Sequence, residues 1–385
     1  SGALDVDKLD YLVRDSAALG VAAGGGIDIR RVLSSLTVAV LPAAPNNPDQ
    51  TLVLAVRAKG VRPAELVGRV RSHMFGVAYW HRSYRSIKSM LHWMVWESVL
   101  AGGRDIETMQ KRGKELAARL FETASVTSDV LDSVDERPNQ IYPIPQREAE
   151  VLAFVHRFTV DEAPNGTSDD MLSLLASHRW YKAVLTIEHF QNLEVSDQDS
   201  ARRAERLWST LEKAIETPPP GRREPRYEDT VLNRIALSKR FQAKVVAALE
   251  KDPQPITRIV NPRQTYGRLT SAAADHQLLI VDFPEKRKSK DKPLYFLAAE
   301  RPGSRLTDTA QPIPVRRSYD QEQLEKEFLV SNGAIRVFCH PDFDRFIAGT
   351  LGTDDLQSLL LSAAQEVLTE GGTPVRRRSP REASS

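Results

Sequence analysis

Asp5-Val6-Asp7-Lys8-Leu9-Asp10-Tyr11-Leu12-Val13-Arg14-Asp15 is the first patterned stretch of the chain. Leu9, Leu12 and Val13 gather on one side at helical spacing. Asp7, Tyr11 and Asp15 recur every four residues and form a polar stripe. Lys8 stands about 100° round the axis from Asp7. The pattern predicts an amphipathic helix over 5–19. Its stripe offers a carboxylate for a metal, an ammonium for phosphate, an aromatic hydroxyl, and a second carboxylate for a sugar hydroxyl. A solvated helix face carries the same residue types, and such faces are common.

Outward from this helix the chain alternates between punctuation and pattern. Gly20 to Gly26 is a glycine-alanine break with no strand-to-helix frame, so it is not a nucleotide loop. The alternating runs Leu36–Leu41 and Leu52–Val56, joined by Pro45-Asn46-Asn47-Pro48-Asp49, predict a β-hairpin. Pro63 opens a helical pattern that runs to about Leu100. Within it Arg71, Phe75, Tyr79 and Arg82 share a face, with Leu66, Val70, Val77, Tyr84 and Leu91 opposite. Further helices are expected at Ile106–Thr123, Arg147–Phe158, Asp169–Leu175, His178–Phe190, Ala201–Ile215 and Tyr227–Glu250, with Thr217–Pro225 a linker by composition.

After Pro253 the character changes. Leu278–Phe283, Leu294–Ala298 and Ile335–Cys339 read as strands, Gln321–Leu329 as a short helix, and Asp354–Leu368 as a last amphipathic helix. The tail Arg376–Ser385 is basic and serine-rich, a composition that resists packing. The fold class expected is therefore mainly α, a helical body with a β-hairpin, plus a small α/β C-terminal lobe. Its segments run 1–130, 131–252, 253–350 and 351–385.

Composition narrows the function classes. The chain has 385 residues, long enough for a sizeable core, and a formal net charge of +2, so no global field marks a nucleic-acid or membrane binder. No apolar run approaches the ~20 residues that a membrane helix needs. A single cysteine, Cys339, excludes an internal disulfide framework and favours a reducing, cytoplasmic setting. Cys339 and His340 are adjacent at a strand end and point to opposite faces, so a buried cysteine is the better reading than a nucleophile pair. The run Lys286–Lys292 reads first as a solvated hairpin tip, with nucleic-acid contact the weaker reading. No phosphate loop and no serine nucleophile elbow occur.

The opening string, Asp-x-Asp-Lys-x-Asp-Tyr-x-x-Arg-Asp, resembles the last metal-ligand helix of the HD-domain deoxynucleotide triphosphohydrolases. The resemblance implies that Asp7 completes a His, His-Asp, Asp metal site and that Lys8 contacts the triphosphate. It also implies that Tyr11 and Asp15 hold the deoxyribose, Asp15 by the 3′-hydroxyl. The string Arg71 to Arg82 is similar to the family helix in which an arginine reaches the phosphates and a tyrosine walls the nucleoside pocket. By that match Arg71 is a phosphate contact, and Tyr79 and Trp80 line the substrate site, with Trp80 standing where the family has glutamine. Arg57-Ala58-Lys59, taken as the end of the hairpin strand, would direct both cations to one side. The resemblance adds Arg31 to them as an activating-nucleotide site between subunits. Leu278–Pro284 and Ala334–Cys339 look like two of the family's later strands.

The activity implied is metal-dependent hydrolysis of a deoxynucleoside triphosphate to deoxynucleoside and triphosphate, by a homo-oligomer, with Asp7, Lys8 and Arg71 at the reacting end. The divalent ion (Mg, Mn, Fe or Zn) would also need the upstream His and His-Asp ligands. None of the eight histidines is followed by Asp, and all lie after Asp7. The expectation is that this chain alone does not hydrolyse by that route, the missing ligands coming from a preceding segment or a partner. The alternative is a non-catalytic nucleotide-sensing or assembly protein with a degenerate HD fold.

Overall fold

Asp5 starts the first helix by capping it: its carboxylate accepts the Lys8 amide at 3.0 Å, and helix α1 runs over Val6–Ala18. The computed structural model describes residues 4–41, 51–101, 103, 105, 107–115, 167–189, 198–219, 221–250, 273, 276–284, 295–297, 315–317 and 333–369. Contacts divide the chain into one unit of Ser1–Tyr84, Gln191–Leu193 and Pro284–Ala334 and another of Arg85–Phe190, Glu194–Phe283 and Ile335–Ser385. The architecture is mainly helical with two small sheets.

In the first unit, α1 leads to a short 3₁₀ turn at Ala22–Gly26, helix α2 (Ile29–Leu33), the hairpin β1 (Leu36–Leu41) and β2 (Thr51–Val56), and helix α3 (Val61–Met74). Leu9 and Leu12 of α1 meet Ile27, Val32, Val56 and the Ala64, Val67, Val70, Met74 row of α3 in one core. Gly24 allows the closest approach, since a Cβ there would stand 2.5 Å from the Leu12 carbonyl and 2.3 Å from Ser16 Oγ. The hairpin register pairs Leu36 with Val56 through to Leu41 with Thr51, without a bulge. β2 then pairs in parallel with β5 (Tyr295–Leu297), and β5 antiparallel with β6 (Val315–Arg317), giving the order β1-β2-β5-β6.

The second unit is layered. It holds helices α4 (Arg82–Leu100, from Arg85 on), α5 (Thr167–Ala176), α6 (Gln198–Glu216), α7 (Tyr227–Glu250), α8 (Asp344–Thr350) and α9 (Thr353–Thr369). Its sheet is built from β3 (Lys182–Glu188), β4 (Leu279–Asp282) and β7 (Ala334–Cys339), in the order β3-β7-β4. Strand alternation sends Leu279, Val281, Ile335, Val337 and Cys339 into a core shared with α6, α7 and α9. Ile280 and Phe338 point the other way, against Met90, Trp93 and Met94 of α4 and Met171, Leu172 and Leu175 of α5. A sheet covered on both faces reads as near-continuous apolar strands, which is how β4 and β7 read.

The structure corrects two helices expected from the sequence. Residues 178–189 of the expected helix His178–Phe190 are not helical. Leu185 and Ile187 are buried while Lys182, Thr186 and Glu188 are exposed, the two-residue period of strand β3. The preceding helix α5 ends in a Schellman turn, in which the His178 amide donates to Leu175 O at 3.1 Å and the Arg179 amide to Leu174 O at 2.8 Å. The long helix from Pro63 to Leu100 is broken. α3 stops at Met74, a π turn covers Phe75–Tyr79 with the Trp80 amide donating to Phe75 O at 2.8 Å, and α4 restarts at Arg82.

Helices at Asp169–Leu175, Ala201–Ile215, Tyr227–Glu250 and Asp354–Leu368 stand within a few residues of where the pattern put them. Residues 107–115 are helical, and the remainder of Ile106–Thr123 lies outside the described residues. The hairpin turn at 45–49, the helices at Arg147–Phe158 and Gln321–Leu329, the loop at 286–292 and the tail also lie outside them.

Candidate functional site

The two motifs of the first unit meet. Tyr79, at the end of the π turn, donates its hydroxyl to Asp15 Oδ2 at 2.7 Å. Tyr11, one turn before Asp15 on α1, sets its ring edge-on to Tyr79 at 6.1 Å. Phe75 packs edge-on against Tyr79 at 5.0 Å and against Trp80 at 5.7 Å. The Arg71 guanidinium lies over the Phe75 ring, 5.7 Å from its centre. The π turn sets this geometry, because its extra residue per turn rotates Tyr79 and Trp80 about the axis relative to α3.

Electrostatics at the junction come from burial beside a carboxylate. Burial, and then the hydrogen bond to Asp15, push the Tyr79 phenol well above its ordinary pKa, so it stays a protonated donor. Asp15 is about a third exposed, and its second oxygen, Oδ1, is 3.5 Å from Arg14 Nε. Arg14 also pairs with Asp10 at 2.9 Å. The spacing of Asp10, Arg14 and Asp15 on one helix could have announced this small network. The result is a half-buried aromatic wall with one oriented carboxylate at its edge.

Other residues singled out from sequence stand differently. Lys8 is buried, and its ammonium lies 3.5 Å from Asp5 Oδ2, so the chain's own carboxylate faces it. Asp7 is exposed. Trp80 is only 6% exposed and packs as a core ring. Arg57 and Lys59 do not alternate on a strand, which corrects their expected strand placement. β2 ends at Val56, and Ala58–Gly60 is a 3₁₀ turn held where Gly60 abuts Ser35. Arg31 does reach this turn, its Nε donating to Lys59 O at 3.0 Å.

No ligand set for a divalent metal gathers around Asp7 among the described residues. Asp5 is turned to Lys8 and Asp10 to Arg14, and among the described residues no group of three or more His, Cys, Asp or Glu side chains could hold a metal. Sequence reading missed a titratable cluster in the second unit. His340 Nδ1 accepts the Asp342 amide at 3.1 Å, so Nε2 carries the proton and donates to Asp170 Oδ2 at 3.0 Å. His276 Nδ1 lies 3.7 Å from the same oxygen. Through its Nε2 bond to Asp170, His340 ties the end of β7 to the start of α5. Cys339 is fully buried, and that burial raises its thiol pKa, as expected of a core cysteine.

Compared with models of known protein families and with curated proteins, the chain matches none. No described helix is long and apolar enough to cross a membrane.

Proposed function

We propose that the first unit binds a deoxynucleoside triphosphate, as the substrate-gripping part of an HD-type triphosphohydrolase. The observation that carries this reading is the Tyr79–Asp15 hydrogen bond, which joins two motifs 64 residues apart in sequence. Tyr11 and Tyr79, backed by the buried Phe75 ring, give a face for the nucleoside, and Asp15 Oδ1, 3.5 Å from Arg14 Nε, keeps a lone pair to accept a sugar 3′-hydroxyl. Arg71, turned along the Phe75 ring, is the cation for the phosphates. Homo-oligomeric assembly and an activating nucleotide at Arg31, Arg57 and Lys59 belong to the same reading. Metal-dependent release of triphosphate is the activity that the resemblance implies, and the residues around Asp7 do not supply its ligand set.

The Lys8–Asp5 pair favours a second reading, nucleotide binding without hydrolysis, because the ammonium is already matched to a carboxylate. Calorimetric titration with deoxynucleoside, ribonucleoside and dideoxynucleoside triphosphates tests binding directly. A hydrogen bond to a charged acceptor contributes about 1.5–3 kcal/mol. Dideoxynucleotides, which lack the 3′-hydroxyl, should therefore bind roughly 10- to 100-fold more weakly. Asp15→Asn should narrow that gap, and equal affinity for all three classes in the wild type would sink the proposal. Triphosphate release, measured with and without divalent ions, separates the two readings.

A further inference from the structure

We propose that strand β1 is a self-association edge, pairing antiparallel with β1 of a second copy of this chain about a two-fold axis. The proposal does not depend on the nucleotide reading. Among the described residues β1 is the terminal strand of its sheet, so one side of its backbone has no neighbouring strand. Exposed edges are normally guarded by charge, proline or a bulge. β1 has none of these: its sequence is Leu-Thr-Val-Ala-Val-Leu, and its register with β2 is unbroken over all six pairs. The opposite edge, β6, reads Val-Arg-Arg and carries two cations. Among the described residues the sheet thus ends in a strand with two arginines in its sequence on one side and in an uncharged strand on the other.

Two features favour a second copy over a foreign peptide. Val38-Ala39-Val40 reads the same in both directions, so antiparallel pairing about Ala39 sets each Val38 across from Val40 of the other copy. That register keeps the exposed Val38 and the buried Ala39 on the faces they already hold, as pairing on a two-sided sheet requires. The outward face is already apolar, with Val38 59%, Leu52 70% and Leu54 50% exposed, and the two-fold joins these residues into one patch. A six-residue edge buries less than the ~1,200 Å² of a standard stable interface, so the dimer is a weak one.

Sedimentation of the full chain over roughly 1–500 μM, a range chosen to bracket weak dimers, reads the equilibrium. The expected result is a monomer–dimer equilibrium. Val38→Lys should weaken it at least tenfold, while Tyr227→Lys, at another exposed apolar position, leaves it unchanged. A monomer at all concentrations, a dimer indifferent to Val38→Lys, or open-ended association overturns the proposal. Hydrogen exchange on the wild type needs no variant. Amides of β1 should gain protection as concentration rises, and β1 exchange that ignores concentration while dimer forms also overturns it.

Discussion

Asp282→Asn probes the most deeply buried ion pair described in the second unit. Asp282 is 8% exposed and Arg85 3%, and they meet as a fork: Arg85 Nε donates to Oδ2 at 2.8 Å and Nη2 to Oδ1 at 2.5 Å. Nη2 also donates to Phe283 O at 2.7 Å. Arg336 stands opposite Asp282 in the β4–β7 register. Burial lowers the Arg336 pKa, Asp282 raises it, and Arg85 lowers it again. The amide of Asn keeps the shape but removes the negative charge that both guanidiniums share. It also turns an NH₂ group toward a donor.

Removing one partner of a buried pair costs about 3–5 kcal/mol, against total stabilities of about 5–15 kcal/mol. The assay is urea denaturation monitored by tryptophan fluorescence, since Trp93 and Trp208 are buried in the same unit. The double variant Arg85→Met with Asp282→Leu should be less damaging than Asp282→Asn, because it leaves no buried charge from this pair. A loss below about 1 kcal/mol for Asp282→Asn would mean that the pair behaves like a solvated surface bridge, and the reasoning would fail.

Three further outcomes rest on particular contacts. His189 packs edge-on to Trp208 at 4.8 Å, and burial lowers its pKa, so the unfolded chain takes up this proton first. Stability should therefore fall as pH drops through the ordinary histidine value near ~6.5 toward the lowered folded value, and pH-dependent melts of His189→Gln should be flatter in that window. Gly24→Ala should destabilise the first unit by about 1–3 kcal/mol through overpacking, because a Cβ at 2.5 Å from a backbone carbonyl cannot be relieved by a rotamer; an unchanged melting temperature would refute the close approach. His178 holds a left-handed φ of 55° at the Schellman position, so His178→Gly should raise stability by up to about 1 kcal/mol, and a loss instead would show that the imidazole contributes more than its backbone strain removes.

Much of the local structure was legible. The Asp7–Tyr11–Asp15 stripe and its opposing leucines predicted α1, and Leu9 and Leu12 are indeed buried. Tyr227–Glu250 was delimited by its own pattern, and the strands read at Leu278–Phe283 and Ile335–Cys339 stand at Leu279–Asp282 and Ala334–Cys339. The shared face of Phe75 and Tyr79 was legible too, but the π turn within it was not, because no proline or glycine pair marks the break. β3 was misread, since a short apolar run fits a helical and an alternating template almost equally well. Packing of Leu185 and Ile187 into the sheet core decided between them.

What the sequence determined by itself was therefore those elements whose pattern is unambiguous within one or two turns. Periodicity, caps and breakers act between residues close in the chain, so they place α1, the hairpin and α7 without reference to the rest. Tertiary structure decided the partners of charged and aromatic side chains. Lys8 could have faced an anion, but Asp5 takes it. Tyr79 could have been a core ring, but its hydroxyl meets Asp15. Arg85 finds Asp282 across 197 residues of chain. The reason is that a long polar side chain gains little locally, and its cost of burial is offset only where the fold brings an opposite charge or an acceptor into hydrogen-bond range.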